Sequence, residues 1–118
     1  ILSLLKEKQI QRHASLQERV EFACEYLLQN KKMAKLVFQN NTPESEFALK
    51  LFHGQDEWRT ASEKLASAYG EDGKDLLFNF MIHGSYSMIT KWLLDDVKKT
   101  PKEMGRLIGG ITIGGYSI

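Results

Sequence analysis

Few side chains in this sequence could do chemistry, and their spacing keeps them apart. The three histidines, His13, His53 and His83, belong to three different stretches of the chain. Metal sites draw their ligands from pairs a few residues apart, as in HExxH or CxxC, because such pairs reach one ion from a single turn. The chain contains no such pair and no paired-carboxylate spacing, so neither a metal nor another cofactor is expected. Cys24 has no histidine near it in sequence to take its proton. It falls with Val20, Ala23 and Leu27 at helical spacing, which predicts a buried structural thiol. No GxSxG elbow is present. The glycines of IGGITIGGY lack the Lys-Ser/Thr ending and the following helix of a phosphate loop. A helix that lets another backbone come close accounts for Gly109 and Gly110 equally well. With no cluster of acid, base and nucleophile, an enzyme is not expected.

Two features remain open to a binding role. His83 sits mid-helix with Asn79, Ser87 and Thr90 near it. It reads either as a hydrogen-bonded histidine at a packing or subunit boundary, or as a polar anchor in a ligand cavity. The second feature is the supply of large apolar side chains: Phe22, Tyr26, Phe38, Phe52, Trp58, Phe78, Phe80, Met81, Tyr86 and Trp92. Most of these must form the core. Helical interiors of this composition are also where apolar ligand pockets form.

The totals bound the answer further. A chain of 118 residues is one domain, long enough to bury a core without disulfides. Its 42% hydrophobic and 26% charged content is that of a globular chain, so disorder is not the expectation. The net charge of +1 argues against nucleic-acid binding by this chain alone, since phosphate contacts require a surplus of Lys and Arg. A single cysteine allows no internal disulfide and fits a reducing cytoplasm. No run is long and apolar enough to predict a membrane span, and no signal peptide is visible. The chain begins at Ile1 inside an apolar pattern, as a piece of a longer protein would.

The elements that must position these residues are helical throughout. Residues 1–12 read as the end of an amphipathic helix, with a short joint at His13-Ala14. Ser15 and Glu18 form a capping box for a helix to about Asn30, with Leu16, Val20, Ala23, Cys24, Leu27 and Leu28 inward and Phe22 and Tyr26 on an adjoining strip. A shorter helix follows over Lys31 to Gln39. Asn40-Asn41-Thr42-Pro43 is a turn. The next helix runs through Phe47, Ala48, Leu51 and Phe52 and stops at Gly54. Asp56 caps a helix from Glu57 to about Tyr69, with Trp58, Ala61, Leu65 and Ala68 inward, and residues 70–73 form a turn. Thr100-Pro101-Lys102-Glu103 supplies Thr at the cap, Pro at the first position and Glu at the third. Met104, Leu107, Ile108 and Ile111 are the expected buried face of the last helix, which its glycines should fray beyond about Ile113. Only Ile111-Thr112-Ile113 hints at a strand.

The run from Leu76 to Val97 is the most apolar in the chain and reads as one helix. At 100° per residue, Leu77, Met81, Gly84 and Met88 share one strip, and Phe78, Ile82, Tyr86, Ile89, Trp92 and Leu93 fill its neighbours. The apolar arc spans roughly 200°, about twice what one core requires. Burial on two sides is expected, and the simplest second partner is another copy of the chain.

FACEYLLQNKKMAKLVFQNN resembles the helix, Asn-Lys, helix, Asn-Asn stretch of TetR-type transcriptional regulators. FMIHGSYSMITKWLLDDVKKTPKEMGRLI is similar to the end of the same regulators, with Gly84, Trp92, Asp95-Asp96 and the Thr100-Pro101-Lys102-Glu103 cap. The resemblance spans about residues 15–113 and is nearest to the group that includes dihydroxyacetone-kinase-operon activators. It implies an all-α bundle of about six to seven helices, dimerising through its last two helices as an intermolecular four-helix bundle. Residues 1–14 would be the end of a linking helix from an absent DNA-binding domain, and residues 15–118 the regulatory and dimerisation domain. The expected partners are a second copy, a small apolar effector, and operator DNA through the missing helix-turn-helix, in a bacterial cytoplasm. The expected effector cavity is lined by Phe22, Tyr26, Phe38, Phe78, Ile82 and His83. The expected dimer interface is Leu77, Met81, Gly84, Met88, Trp92, Met104, Leu107, Ile108 and Ile111. The rival expectation is a helical dimerisation or protein-interaction module with a filled core and no ligand.

Overall fold

The first helix begins at the expected capping box. In the computed structural model, which describes residues 14–39, 51–52 and 54–114, α1 spans Leu16–Gln29. The Glu18 N–H donates to Ser15 Oγ at 3.0 Å and the Ser15 N–H to Glu18 Oε1 at 2.8 Å. Two backbone donors that a helix start leaves orphaned are thereby satisfied. Leu16, Val20, Ala23, Cys24 and Leu27 form the buried stripe, while Leu28, at its edge, is exposed. Asn30 closes the helix, donating both its backbone N–H and its Nδ2 to the Tyr26 carbonyl. The second helix, α2, spans Lys31–Gln39 and buries only Ala34 and Phe38.

Leu51 and Phe52 are helical and fully buried, and Gly54 follows with φ of 65°. The expected turn at Asn40-Asn41-Thr42-Pro43, the helix expected through Phe47 and Ala48, the segment 1–12 and the histidines His13 and His53 lie outside the described residues. The third helix, α3, spans Asp56–Leu94. Its cap is Gln55, one residue before the expected Asp56: the side-chain Oε1 accepts the Trp58 N–H at 2.6 Å.

Gly70 interrupts α3 with φ 81° and ψ 168°. The expected turn over residues 70–73 is therefore a break at one residue, and the helix resumes directly after it. The consequence is large. An unbroken helix would hold Trp58 and Phe78 about 30 Å apart; their rings stack with centroids 5.1 Å apart. Gly70 thus folds the two halves of α3 back on each other. Phe52 packs edge-on against both rings. The second half ends at Leu94, earlier than the expected Val97, and Asp96 follows in the left-handed region at φ 51°.

The last helix, α4, spans Pro101–Gly109 with the expected box: the Glu103 N–H donates to Thr100 Oγ1 at 3.1 Å and the Thr100 N–H to Glu103 Oε1 at 2.9 Å. A π-helical turn, Gly110–Gly114, continues it, so Ile111-Thr112-Ile113 is helical and not a strand. Thr112 Oγ1 donates to the Ile108 carbonyl at 2.6 Å inside this segment.

The partner of α4 is α1, and glycine sets their separation. A Cβ built on Gly105 would stand 2.7 Å from the Gln17 carbonyl oxygen, and one on Gly109 would stand 3.1 Å from Gln17 Cα. The close approach expected at Gly109 and Gly110 occurs instead at Gly109 and Gly105, one turn apart; Gly110 faces open space. Among the described residues there are four α-helices, one π-helical turn and no strand, so the fold is all-α. The expected six to seven helices are not reached among them.

Candidate functional site

The second half of α3 is buried on one broad side. Met81, Ile82, Ser85, Tyr86, Ile89, Trp92 and Leu93 face the core, and Leu77, Phe78, Gly84 and Met88 are half-buried along its edges. The opposite side carries Leu76 and Phe80, 73% and 69% exposed, in line with His83, which is also exposed. Leu107 on α4 and Ile111 in the π-helical turn behind it are 40% and 57% exposed, on the face turned away from α1.

These positions sort the expected interface residues. Met81, Trp92, Met104 and Ile108 are enclosed by the protomer itself, each at most 3% exposed. Their place is the chain's own core, because the buried side of α3 faces those residues and the Gly105–Gly109 contact turns Met104 and Ile108 toward α1. Leu107 and Ile111 stand outside, and Leu77, Gly84 and Met88 lie at the boundary. Phe80 was missed as an outward apolar residue beside Leu76. The signal was available, since Leu76, Phe80 and His83 share a strip at 100° per residue.

Of the expected cavity residues, Phe38 and Ile82 lie in the core and Phe22 and Phe78 pack against it. Phe38 stacks on Tyr86 with centroids 5.5 Å apart, and Ile82 is buried. Phe78 stacks on Trp58 and meets Phe52 edge-on, and both it and Phe22 pack against the same core that holds Phe38 and Ile82. Phe22 and Tyr26 are half-buried along α1, and His83 faces outward.

The aromatic cluster borders a cleft of about 230 Å³ lined by Trp58, Ser62, Lys74, Asp75 and Phe78. Its walls come from both halves of α3, so Gly70 creates it. The Lys74 ammonium at its edge lies 2.8 Å from Glu71 and 3.7 Å from Asp75. The hydrogen bond it donates to Glu71, joined by the charges of both carboxylates, raises its pKa above the ordinary lysine value.

A buried polar joint adjoins this cleft. Gln55 is 1% exposed. While its Oε1 caps α3 through Trp58, its Nε2 donates to the Ala14 carbonyl at 3.0 Å and to Glu57 Oε1 at 3.1 Å. Glu57 Oε1 also accepts the Leu16 N–H at 2.8 Å. Arg19, 3% exposed, donates from Nη1 to the Leu51 carbonyl at 3.3 Å. Burial lowers the Arg19 pKa, and the nearby Asp56 charge opposes that shift. The start of α1 and the start of α3 are therefore bonded to each other through side chains. The sequence reading missed Gln55 and Arg19, because neither belongs to a motif.

Cys24 is fully enclosed, and burial, with a smaller contribution from Glu25, pushes its thiol up to about 12. At neutral pH it is a thiol and not a nucleophilic thiolate. Among the described residues no three His, Cys, Asp or Glu side chains gather as a metal site, and no helix is long and apolar enough to cross a membrane.

Comparison with curated proteins and with solved structures gives no match. A TetR-type family model described as the transcriptional regulator C-terminal region matches residues 14–114. That span opens at the Ala14–Gln55 joint, includes the folded-back α3, and closes with the π-helical turn behind the Thr100 cap. The chain belongs to the TetR-type family of transcriptional regulator C-terminal regions.

Proposed function

We propose that this chain is the effector-responding and homodimerising region of a bacterial, cytoplasmic DNA-binding regulator. The observation that carries the effector reading is the hydrogen-bonded path from the Trp58–Phe78 cleft to Ala14. Trp58 lines the cleft with its ring and is held by Gln55 through its backbone N–H; Gln55 also holds the Ala14 carbonyl. A molecule wedged against Trp58 would move the first turn of α3, and with it the point where residues 1–13 join α1. Those residues would continue into the DNA-binding part. The ligand shifts this equilibrium only to the extent that it binds one arrangement more tightly. A cleft of about 230 Å³ lies just below the usual range of ligand pockets, ~300–1,000 Å³, and suits a small flat apolar molecule.

The dimer reading rests on the outward strips of the last two helices. Burying Leu76, Phe80, Leu107 and Ile111 against a second copy would add about 1.5–3 kcal/mol for each fully covered side chain. A two-fold axis would use every one of them twice. Sedimentation at micromolar concentration is expected to give twice the chain mass of 13.5 kDa, and Phe80→Glu to give a folded monomer. A wild-type monomer would end this reading.

The effector is tested by thermal denaturation. A compound that alters DNA binding by the full-length regulator should raise the melting temperature of this chain, and Ser62→Trp, which fills the cleft, should abolish the rise. If every such compound leaves the melting temperature unchanged, the cleft has no sensing role. The second reading, assembly alone with a filled core, is favoured by the Phe38–Tyr86 stack. Phe38, one of the expected cavity residues, packs its ring on Tyr86 inside the core.

A further inference from the structure

We propose a second binding site, between the α1–α2 joint and the α3–α4 turn, that takes amphipathic carboxylates: small molecules with one anionic head and a short apolar body. The site is independent of the Trp58 cleft and of the sensing role assigned to it.

Charge is unevenly distributed in this chain. Residues 31–39 and 91–106 together carry eight Lys and Arg (31, 32, 35, 91, 98, 99, 102 and 106) against three carboxylates (95, 96 and 103). The surplus of five stands in a chain whose net charge is only +1, so the remainder carries −4. The basic residues flank a cleft of about 320 Å³ lined by Leu28, Lys31, Trp92, Leu93, Asp96, Val97, Lys98 and Lys99. That volume falls within the range of small-molecule sites, ~300–1,000 Å³.

The lining has two parts, as an amphipathic ligand requires. Trp92 and Leu93 form a buried floor, and Leu28 and Val97, 41% and 39% exposed, stand at its sides as uncovered apolar surface. Lys31, Lys98, Lys99 and the Asp96 carboxylate supply the rest. Lys31 is paired with Asp96, which also holds Lys35 at 3.0 Å. Lys98 and Lys99 form no ion pair among the described residues; the Lys99 charge reaches Glu103 at longer range, and Lys98 stands beside the apolar floor.

The cleft is preformed. The Trp92 indole N–H donates to the Lys99 carbonyl at 2.8 Å, and the Val97 N–H to the Trp92 carbonyl at 3.1 Å. These bonds fix the turn that carries both lysines onto the floor. Asp96 already pairs with Lys31 and Lys35, so the head of a bound carboxylate would lie on the Lys98 and Lys99 side. The wider basic belt would raise the local concentration of anions around the cleft.

The test is a titration of the 118-residue chain with hexanoate, octanoate and decanoate, followed by the Trp92 indole N–H resonance and by calorimetry. Trp58→Phe identifies which of the two indole signals is Trp92. Saturable shifts of Trp92, Val97 and Lys99 are expected. Affinity should rise about fourfold per added methylene, the factor that ~0.8 kcal/mol per buried CH₂ corresponds to, and should fall with salt. Lys98→Glu combined with Lys99→Glu should weaken octanoate at least tenfold while leaving the melting temperature unchanged. Octan-1-ol, which has the body without the charge, should bind far more weakly. The proposal is overturned if the shifts do not saturate, if the alcohol matches the acid, or if the double variant binds as the parent does. It is equally overturned if vesicles of anionic phospholipid bind through these lysines while free octanoate does not.

Discussion

The Gly105→Ala substitution should destabilise the chain although alanine is the better helix former. On propensity alone, glycine to alanine inside a helix gains about 1 kcal/mol. Against this, the new methyl would lie 2.7 Å from the Gln17 carbonyl oxygen, 3.2 Å from Gln17 Cγ and 3.3 Å from Glu21 Cβ. The nearest of these atoms is backbone, so no rotamer change relieves it. To reach ordinary contact, α4 must withdraw from α1, which loosens the burial of Met104 and Ile108. Overpacking of this kind costs typically about 1–3 kcal/mol, giving a net loss of up to about 2 kcal/mol. Gly109→Ala meets atoms at 3.1 and 3.2 Å, so its clash and its propensity gain should nearly cancel. Gly110→Ala meets nothing within 4 Å and should be neutral or stabilising. The order of stability should therefore be Gly110→Ala, then wild type and Gly109→Ala together, then Gly105→Ala. Urea denaturation at one fixed protein concentration measures it, with an unchanged m value showing that only stability moved. If Gly105→Ala proves as stable as Gly110→Ala, the close α1–α4 approach is not what the glycines serve.

Gly70→Ala forces a side chain to φ 81°, where its Cβ would also stand 3.0 Å from Asp72 Oδ1. A loss of about 1–3 kcal/mol is expected, with a change in Trp58 fluorescence as the Trp58–Phe78 stack opens. Cys24 should stay unlabelled by a thiol reagent at pH 8 in the folded chain and react at once in denaturant, because its thiol is pushed up to about 12 and buried. Asp96 should contribute to the acid limb of stability. Hydrogen bonds from Lys31 and Lys35 hold its carboxyl below the ordinary range. Its contribution is therefore present above the unfolded value, about pH 4, and is lost as pH falls through the lower folded value. Asp96→Asn should flatten that part of an acid unfolding curve, and high salt should do the same to the parent.

What was legible in the sequence was local. Both capping boxes, Ser15–Glu18 and Thr100–Glu103, form bond for bond, because a cap depends on residues three positions apart and little else. The turn at Gly70 was visible as glycine but not as a reversal. Whether a break bends a helix or only ends it is decided by what the two halves bury together, here Trp58 against Phe78. Gln55 was invisible for a related reason. Its two roles, capping α3 and holding Ala14, require α1 and α3 to start side by side, and no spacing in the sequence encodes that. Which ring each inward aromatic meets is equally a matter of the fold: Phe38 stacks on Tyr86 and Phe78 on Trp58, and no spacing in the sequence pairs them.

The second half of α3 buries one broad side in the protomer and keeps apolar residues on the other. The periodicity centred its second face on Leu77, Met81, Gly84 and Met88. In the folded chain Met81 belongs to the first face, and the outward apolar residues are Leu76 and Phe80, farther round. On α4 the same logic runs through glycine. With no side chain at Gly105 and Gly109, that helix presses one face onto α1 and needs few large residues to do it. Leu107 and Ile111 are then surplus to the protomer's core. Charge or polarity at those two positions would serve a monomer better, since they stand exposed on the face away from α1. Their apolar character is what a surface kept for a second copy would show. Phe80→Glu and Ile111→Glu should therefore act alike: each should lower the self-association constant with little change in the helical content of the chain. A variant that unfolds while its monomer concentration stays constant would place these residues in the core, against the exposure on which the dimer rests.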